Sequence, residues 1–313
     1  MTQTHFISKD TGQTEFSKDN EPVLTVTPGT GERISFETDD LAYQQMHEHH
    51  DLEKVTAKLN AVTGPVFVEG AEPGDVLAVT VHDIEFPGGG WSVYLPGAGA
   101  LADVMGEEWM TRPIDIVDGE AVLTDGIRCP IQPMIGCIGV APAEGEMSVV
   151  MPSYPTGGNM DLTDAAPGST VYLPVQVPGA LLSIGDLHAV MSRGESSFVA
   201  IEAAGVATVS VDVIKPEETS SWKALRAARV ETPEEFVFVG IGDPVQTSIQ
   251  HAYEDLFKYL TLDKGFSNDD AYVVMSAVAH TELGGPTGSK PDPVHPFRAH
   301  GAVTLARIEK KYL

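Results

Sequence analysis

The chain has 313 residues, with 45 acidic and 19 basic side chains, a net charge of −26 and a hydrophobic share of 42%. That is enough apolar material for a real core, in one large or two to three small domains. So acidic a surface repels nucleic-acid phosphates and anionic membranes, and no apolar run reaches the roughly 18–20 residues of a membrane helix. The N-terminal Met1-Thr2-Gln3-Thr4-His5 shows neither the basic nor the apolar part of a secretory signal. Cys129 and Cys137 are the only cysteines. Two thiols make no disulfide framework, so the expected location is a reducing cytoplasm. Both read as small buried hydrophobes.

In chain order, residues 22–40 predict two short strands around the turn Pro28-Gly29-Thr30-Gly31, because apolar and polar residues alternate on either side of it. Met46-His47-Glu48-His49-His50 then leads into a predicted short helix with Asp51 near its start. Its histidines fix no further ligand by their pattern and are read as solvated. Strands return from 66 to 84, interrupted by the tight turn Gly70-Ala71-Glu72-Pro73-Gly74-Asp75. Residues 87–107 are rich in glycine and loops, but no glycine stretch has the spacing and Lys of a phosphate loop. From 121 to 213 short strands alternate with turns, 197–202 and 207–214 reading as a pair, which suggests a sandwich or barrel. After Pro216 two helices are predicted. One spans 246–260, with Ile249, Ala252, Tyr253, Leu256 and Leu260 on one face; the other starts near Asn268, capped by Ser267 or Asn268. The expected fold is mainly β with an α+β C-terminal part: residues 1–215 as a β-rich core carrying the polar clusters, and 216–313 as an α+β segment packed on it.

Two polar clusters stand out, Gly157-Gly158-Asn159-Met160-Asp161 and Gly185-Asp186-Leu187-His188, the latter followed by Gly194-Glu195. The apolar, proline-bounded stretch between them reads as the body of a β-hairpin with polar ends. Carboxylates with an imidazole are the ligands of Zn²⁺ and similar divalent ions, and also the inventory of general acid–base catalysis. Asp186 and His188, two apart on a strand, point to one face.

These residues resemble the acetamidase/formamidase family. The resemblance runs through the 157–161 cluster and through Val171-Tyr172-Leu173-Pro174-Val175 on to Gly185-Asp186-Leu187-His188-Ala189. It recurs in Thr63-Gly64-Pro65 to Glu69-Gly70-Ala71-Glu72-Pro73-Gly74-Asp75-Val76-Leu77, and in Pro133-Met134-Ile135-Gly136 to Val140-Ala141-Pro142. It covers about residues 22 to 280. It implies hydrolysis of short aliphatic amides to a carboxylate and ammonia, a jelly-roll-like β-sandwich or barrel core with a smaller α+β part, and a homo-oligomer. Two stretches depart from the family pattern: Val190-Met191-Ser192-Arg193-Gly194-Glu195, where Arg193 replaces an expected acid, and Ala279-His280-Thr281-Glu282-Leu283-Gly284-Gly285-Pro286.

Amide hydrolysis needs an activated nucleophile, a stabilised oxyanion and a proton for the departing nitrogen. A divalent metal, Zn²⁺ first, would supply the first two, with Asp161, Asp186 and His188 as its ligands. Glu72 or Glu195 would serve as general base and proton donor, and Asn159 or the backbone N–H groups of Gly157 and Gly158 would hold the oxyanion. Glu202, a carboxylate in an otherwise apolar strand, needs a partner or a task. Two further readings stay open: the same site acting on a larger or carboxylated amide through Arg193, and a non-catalytic ligand-binding β-sandwich with a structural metal. The segment 284–300, with His295 and His300, either closes over the site or covers an edge.

Overall fold

The computed structural model describes residues 3–217, 219–295 and 297–313, with Ala224 described by its backbone alone. The fold is mainly β, as expected. A nine-stranded sheet runs in the order Thr4–Ile7, Arg33–Glu37, Val206–Ile214, Val76–Glu85, Thr170–Pro174, Arg229–Glu231, Glu235–Gly242, Ala302–Glu309, His280–Leu283. An eight-stranded sheet contains Gly157–Asn159, Met134–Gly139, Leu182–Val190, Ile201–Glu202, Gly90–Tyr94 and Met110–Ile114 in that order, with Val62–Val68 added on Leu182–Val190 and Leu24–Val26 on Val62–Val68. Val79, Val81, Val209, Val237 and Leu305 of the first sheet pack in one buried cluster with Val66, Ile135, Ile138, Ile184 and Leu187 of the second. Stacked sheets sharing such a core make a β-sandwich.

Alternation decides which way each strand faces. In Glu235–Gly242, Val237 and Val239 enter the inter-sheet core, while Phe236 and Phe238 turn outward against helix α3 (Val245–Lys258) and the start of α4 (Asn268–Val278). Both helices fall where the 3.6-residue pattern places them. Ser267 caps α4, its hydroxyl accepting from the Asp270 N–H at 3.1 Å. Four strands of the nine-stranded sheet come from beyond residue 215.

Three local expectations are corrected. The helix near the histidines lies earlier: α1 is Leu41–His49, and Asp51 instead caps a 3-10 turn over Leu52–Lys54. Ile201–Glu202 and Val206–Ile214 are not a pair but belong to different sheets, the chain crossing the sandwich between them. The stretch between the polar clusters is likewise no hairpin. Thr170–Pro174 lies in one sheet and Leu182–Val190 in the other. Pro174 and Pro178 have no N–H to continue a ladder. Gly179 (φ +75°), Ala180 (+59°) and Leu181 (+61°) then turn the chain over, and any Cβ at Gly179 would lie 2.2 Å from the Phe67 ring.

Candidate active site

The Met134–Gly139 strand brings the two polar clusters together. Gly157–Asn159 pairs along one edge of it and Leu182–Val190 along the other, so Cys137 faces both Asn159 and Gly185 in register. Asp161 and Asp186 then meet above Gly136. A Cβ at Gly136 would lie 2.7 Å from Asp186 Oδ2 and 2.9 Å from Asp161 Oδ1, so the missing side chain is what lets the carboxylates converge. Substituting Gly136→Ala would also set a Cβ 2.9 Å from the Asp186 carbonyl oxygen, so the melting temperature should fall as the two carboxylates are pushed apart. A thermal melt of the variant beside wild type checks this.

His188 is the hub. Its Nε2 lies 3.3 Å from Glu202 Oε2, 3.5 Å from Asp186 Oδ2 and 3.9 Å from Asp161 Oδ1. Glu202 faces His188 across the sheet, and its other oxygen accepts from the Ala200 N–H at 3.0 Å. Glu195 completes the group, and all five side chains are buried. Asp161, Asp186 and His188 can together offer ligand atoms within 4.8 Å of one another, and so can His188, Glu195 and Glu202.

Among the described residues, neither ring nitrogen of His188, neither carboxylate oxygen of Asp161, nor Asn159 Oδ1 has a hydrogen-bond partner. Buried polar atoms are normally satisfied, so five such atoms on three residues that line one cavity fit a cation or substrate bound there. Charge points the same way. Two like charges about 4 Å apart repel by about 4 kcal/mol even at an effective protein dielectric of 20. Burial and Asp186 push Asp161 well above the carboxylate range, and burial and Asp161 do the same to Glu195. Asp186 rises to about 6 through burial and Glu202. Burial alone would lower His188, but Glu202 and Asp186 outweigh it and hold the imidazole well above its ordinary value. Opposed to His188, Glu202 stays below its ordinary value despite burial. Without a cation the cluster must gather protons. An acceptor-rich donor set of carboxylate, imidazole and amide oxygen fits a divalent cation.

The cavity over the cluster has a volume of about 30 Å³, room for about two water-sized groups. Tyr43 and Asn60 close one side, the Tyr43 hydroxyl donating to Asn60 Oδ1 at 3.0 Å. Burial and then the Glu202 carboxylate push the Tyr43 phenol well above its ordinary value, so it stays a neutral donor. Asn60, Asp161, Asp186, Glu195 and Phe198 all line this cavity at positive φ, five of the nine such non-glycine residues among those described. Backbone strain of this kind, of order 1–3 kcal/mol each, gathers at functional sites.

The other expected residues fall as follows. Glu72 does not join the cluster: it is exposed on the turn before Val76–Glu85 and lines none of the cavities described. Its backbone N–H is capped by the Asp75 carboxylate at 2.7 Å, so the acidic turn is held for structural reasons. Asn159 lines the cavity, but its Nδ2 donates to the Val150 carbonyl at 3.0 Å, which leaves the oxygen facing inward. That orientation suits accepting from an N–H rather than holding an oxyanion. The Gly157 N–H donates to the Tyr154 carbonyl at 3.0 Å, and neither Gly157 nor Gly158 lines the cavity. Arg193 is taken up by Asp164 (3.1 and 3.3 Å) and Glu282 (3.2 Å), beside Arg307, which grips the same Asp164. The segment 284–300 packs on the site: Thr287 donates to the Asn159 carbonyl at 2.8 Å and Phe297 lines the cavity. His295 and His300 do not line it. His47 sits apart, bonded to Thr111 Oγ1 at 2.9 Å.

Tyr43, Asn60, Phe198 and Phe297 carry no motif. Only Glu202 left a trace, as a charge inside an apolar strand.

The fold and this cluster define a β-sandwich protein with a buried, cation-competent carboxylate–imidazole centre under a small cavity. The chain matches the Acetamidase/Formamidase family over residues 2–150 and 144–285, and it belongs to that family. It is 28% identical to an acetamidase of Mycolicibacterium smegmatis over 269 residues (65% of this chain, 66% of the relative). It is 29% identical to a formamidase of Methylophilus methylotrophus over 215 residues (50% and 52%). The chain thus spans about half to two thirds of the length of these sequence relatives. Among solved structures, a predicted acetamidase/formamidase from the thermophile Thermoanaerobacter tengcongensis superposes with a TM-score of 0.85 at 30% identity, covering 99% of this chain and 97% of that one.

Proposed function

We propose that the protein hydrolyses the C–N bond of short linear amides to a carboxylate and ammonia, with the buried cluster as its active site. The observation that carries this reading is the set of five unpartnered buried atoms on Asn159, Asp161 and His188, three residues that line a cavity of about 30 Å³. So small a space restricts a substrate to a few heavy atoms. Membership of a family whose relatives are named acetamidase and formamidase supports the same reaction.

Asp161, Asp186 and His188 would hold a divalent cation, Zn²⁺ first by donor type. Such an ion acidifies water and polarises a carbonyl. Glu195, buried beside Asp161, takes the proton of the attacking water and returns it to the leaving nitrogen. Asn159 Oδ1 accepts from the substrate amide N–H and orients it. The Tyr43 hydroxyl, neutral and within the cavity wall, turns from Asn60 to the developing oxyanion. Glu202 positions His188. The carboxylated-amide reading loses its support because both carboxylates around Arg193 already occupy it. A cytoplasmic location is supported by two free thiols, and no helix among the described residues is long and apolar enough to cross a membrane. A homo-oligomer is proposed on the family likeness.

The test is ammonia release by the purified, metal-supplied protein from formamide and acetamide. Turnover is expected, with a loss of roughly 10²–10⁴-fold in Glu195→Gln. Silence on every amide would overturn the reading.

A further inference from the structure

A second cavity of about 540 Å³ lies outside the first. Glu195, Phe198 and Phe297 line both, so the two chambers meet at these three side chains. The outer one is walled by apolar Leu283, Pro286 and Val303. Its arginines are engaged: Arg193 by Asp164 and Glu282, Arg298 by Asp103 at 3.0 Å and by the Gly97 carbonyl at 3.0 Å.

The two aromatic residues come from distant segments, and each is held in place. Phe198 ends a tight turn, its N–H donating to the Glu195 carbonyl at 2.9 Å, at φ +70°. Bulky residues rarely adopt that conformation, so a turn this tight beside Glu195 fixes where the ring goes. The Phe297 N–H is bonded to His295 Nδ1 at 3.2 Å, and the next residue is the anchored Arg298. Both rings pack against the buried cluster of Tyr43, Met46, Val93, Leu95 and Ala98.

Building on the amidase reading, we propose that Phe198 and Phe297 form an aromatic partition that limits the acyl chain of the substrate. The outer chamber is the space a longer neutral aliphatic amide would occupy if the partition were removed. With the reacting carbonyl beside Glu195, an acyl chain turned away from Tyr43 and Asn60 extends toward these rings. Acyl groups of one or two carbons stop short of them; longer chains collide. The engaged arginines leave no free cation among the described lining residues, and Asp103 and Asp292 disfavour an anionic tail further, so the class admitted is neutral and aliphatic.

The experiment compares wild type, Phe198→Gly and Phe297→Ala on acetamide, butyramide and hexanamide, reading ammonia release. Glycine suits the left-handed backbone at position 198, and Phe297 is only half-buried at the cavity edge, so one of the two variants serves if the other fails to fold. The readout is kcat/KM for hexanamide divided by that for acetamide, a ratio that a general loss of stability does not move. A rise of at least about tenfold in either variant is expected, since even one methylene against a pocket wall is worth about 10–200-fold. An active wild type with the same ratio in both folded variants overturns the partition and leaves the amidase reading standing. A wild type that releases ammonia from no amide overturns both.

Discussion

Replacing His188 with alanine is expected to remove ammonia release by roughly 10³-fold or more while leaving the fold intact, and Asp161→Ala to do the same. The separation of activity from stability follows from what these side chains do not do. The backbone at His188 is paired with Met134 on one side and Glu202 on the other, and neither pairing needs the imidazole. Both ring nitrogens and both Asp161 oxygens lack a hydrogen-bond partner among the described residues. A histidine kept for structure would donate to a carbonyl or carboxylate, and its loss would cost about 1–3 kcal/mol for the partner left unpaired. Truncation does leave the Glu202 and Asp186 carboxylates without the imidazole, so the stripped His188→Ala protein should melt lower while its backbone pairings keep it folded. Circular dichroism and melting of the variants beside wild type, with ammonia release measured on the same samples, checks the result. Retained turnover would remove either residue from the mechanism.

The second large effect is one of sign. Asp161→Asn should stabilise the metal-stripped protein and destabilise the metal-loaded one, each relative to wild type treated alike. Stripped, the cluster sets four buried carboxylates, Asp161, Asp186, Glu195 and Glu202, against one imidazole. Buried there, Asp161 has to take up a proton, whereas asparagine is neutral without one, so the replacement removes a cost of folding of about 1–4 kcal/mol near neutral pH. Loaded, the ion binds the folded state and stabilises it by about 4 kcal/mol at a thousand times its Kd. An amide oxygen is a weaker ligand than a carboxylate, so the variant forfeits much of that. Calorimetry of both proteins, after chelation and after return of Zn²⁺, reads the two signs directly. The same sign in both states would mean that the cluster is not a cation site.

The site was legible in the sequence where its chemistry is local. Asp161, Asp186 and His188 lie in short glycine-flanked motifs whose polarity has no place in a core strand, and the structure brings all three to one cavity. What links the motifs was not legible, because strand pairing is non-local: the central partner is the Met134–Gly139 strand, and the glycine that makes room, Gly136, looks like any strand glycine. Asp186 and His188 reach one cluster as the two-residue period suggests, yet Asp186 does so from φ +54°, which no periodicity reveals. Glu72 misled because an acid in a Pro-Gly turn is equally at home in solvent. Tyr43 was invisible for the opposite reason, since a buried aromatic on one face of α1 is what any packed helix shows. The two-sheet class followed from repeated short strands, but proline-rich crossings such as 174–182 read as hairpin ends until the partners on each sheet are known.

The most direct test of the central claim is ammonia release from acetamide by chelator-treated protein as Zn²⁺ is titrated back. No turnover is expected in the stripped protein, and turnover should rise with added metal to saturation. Full turnover by protein that elemental analysis shows to be free of metal would contradict it.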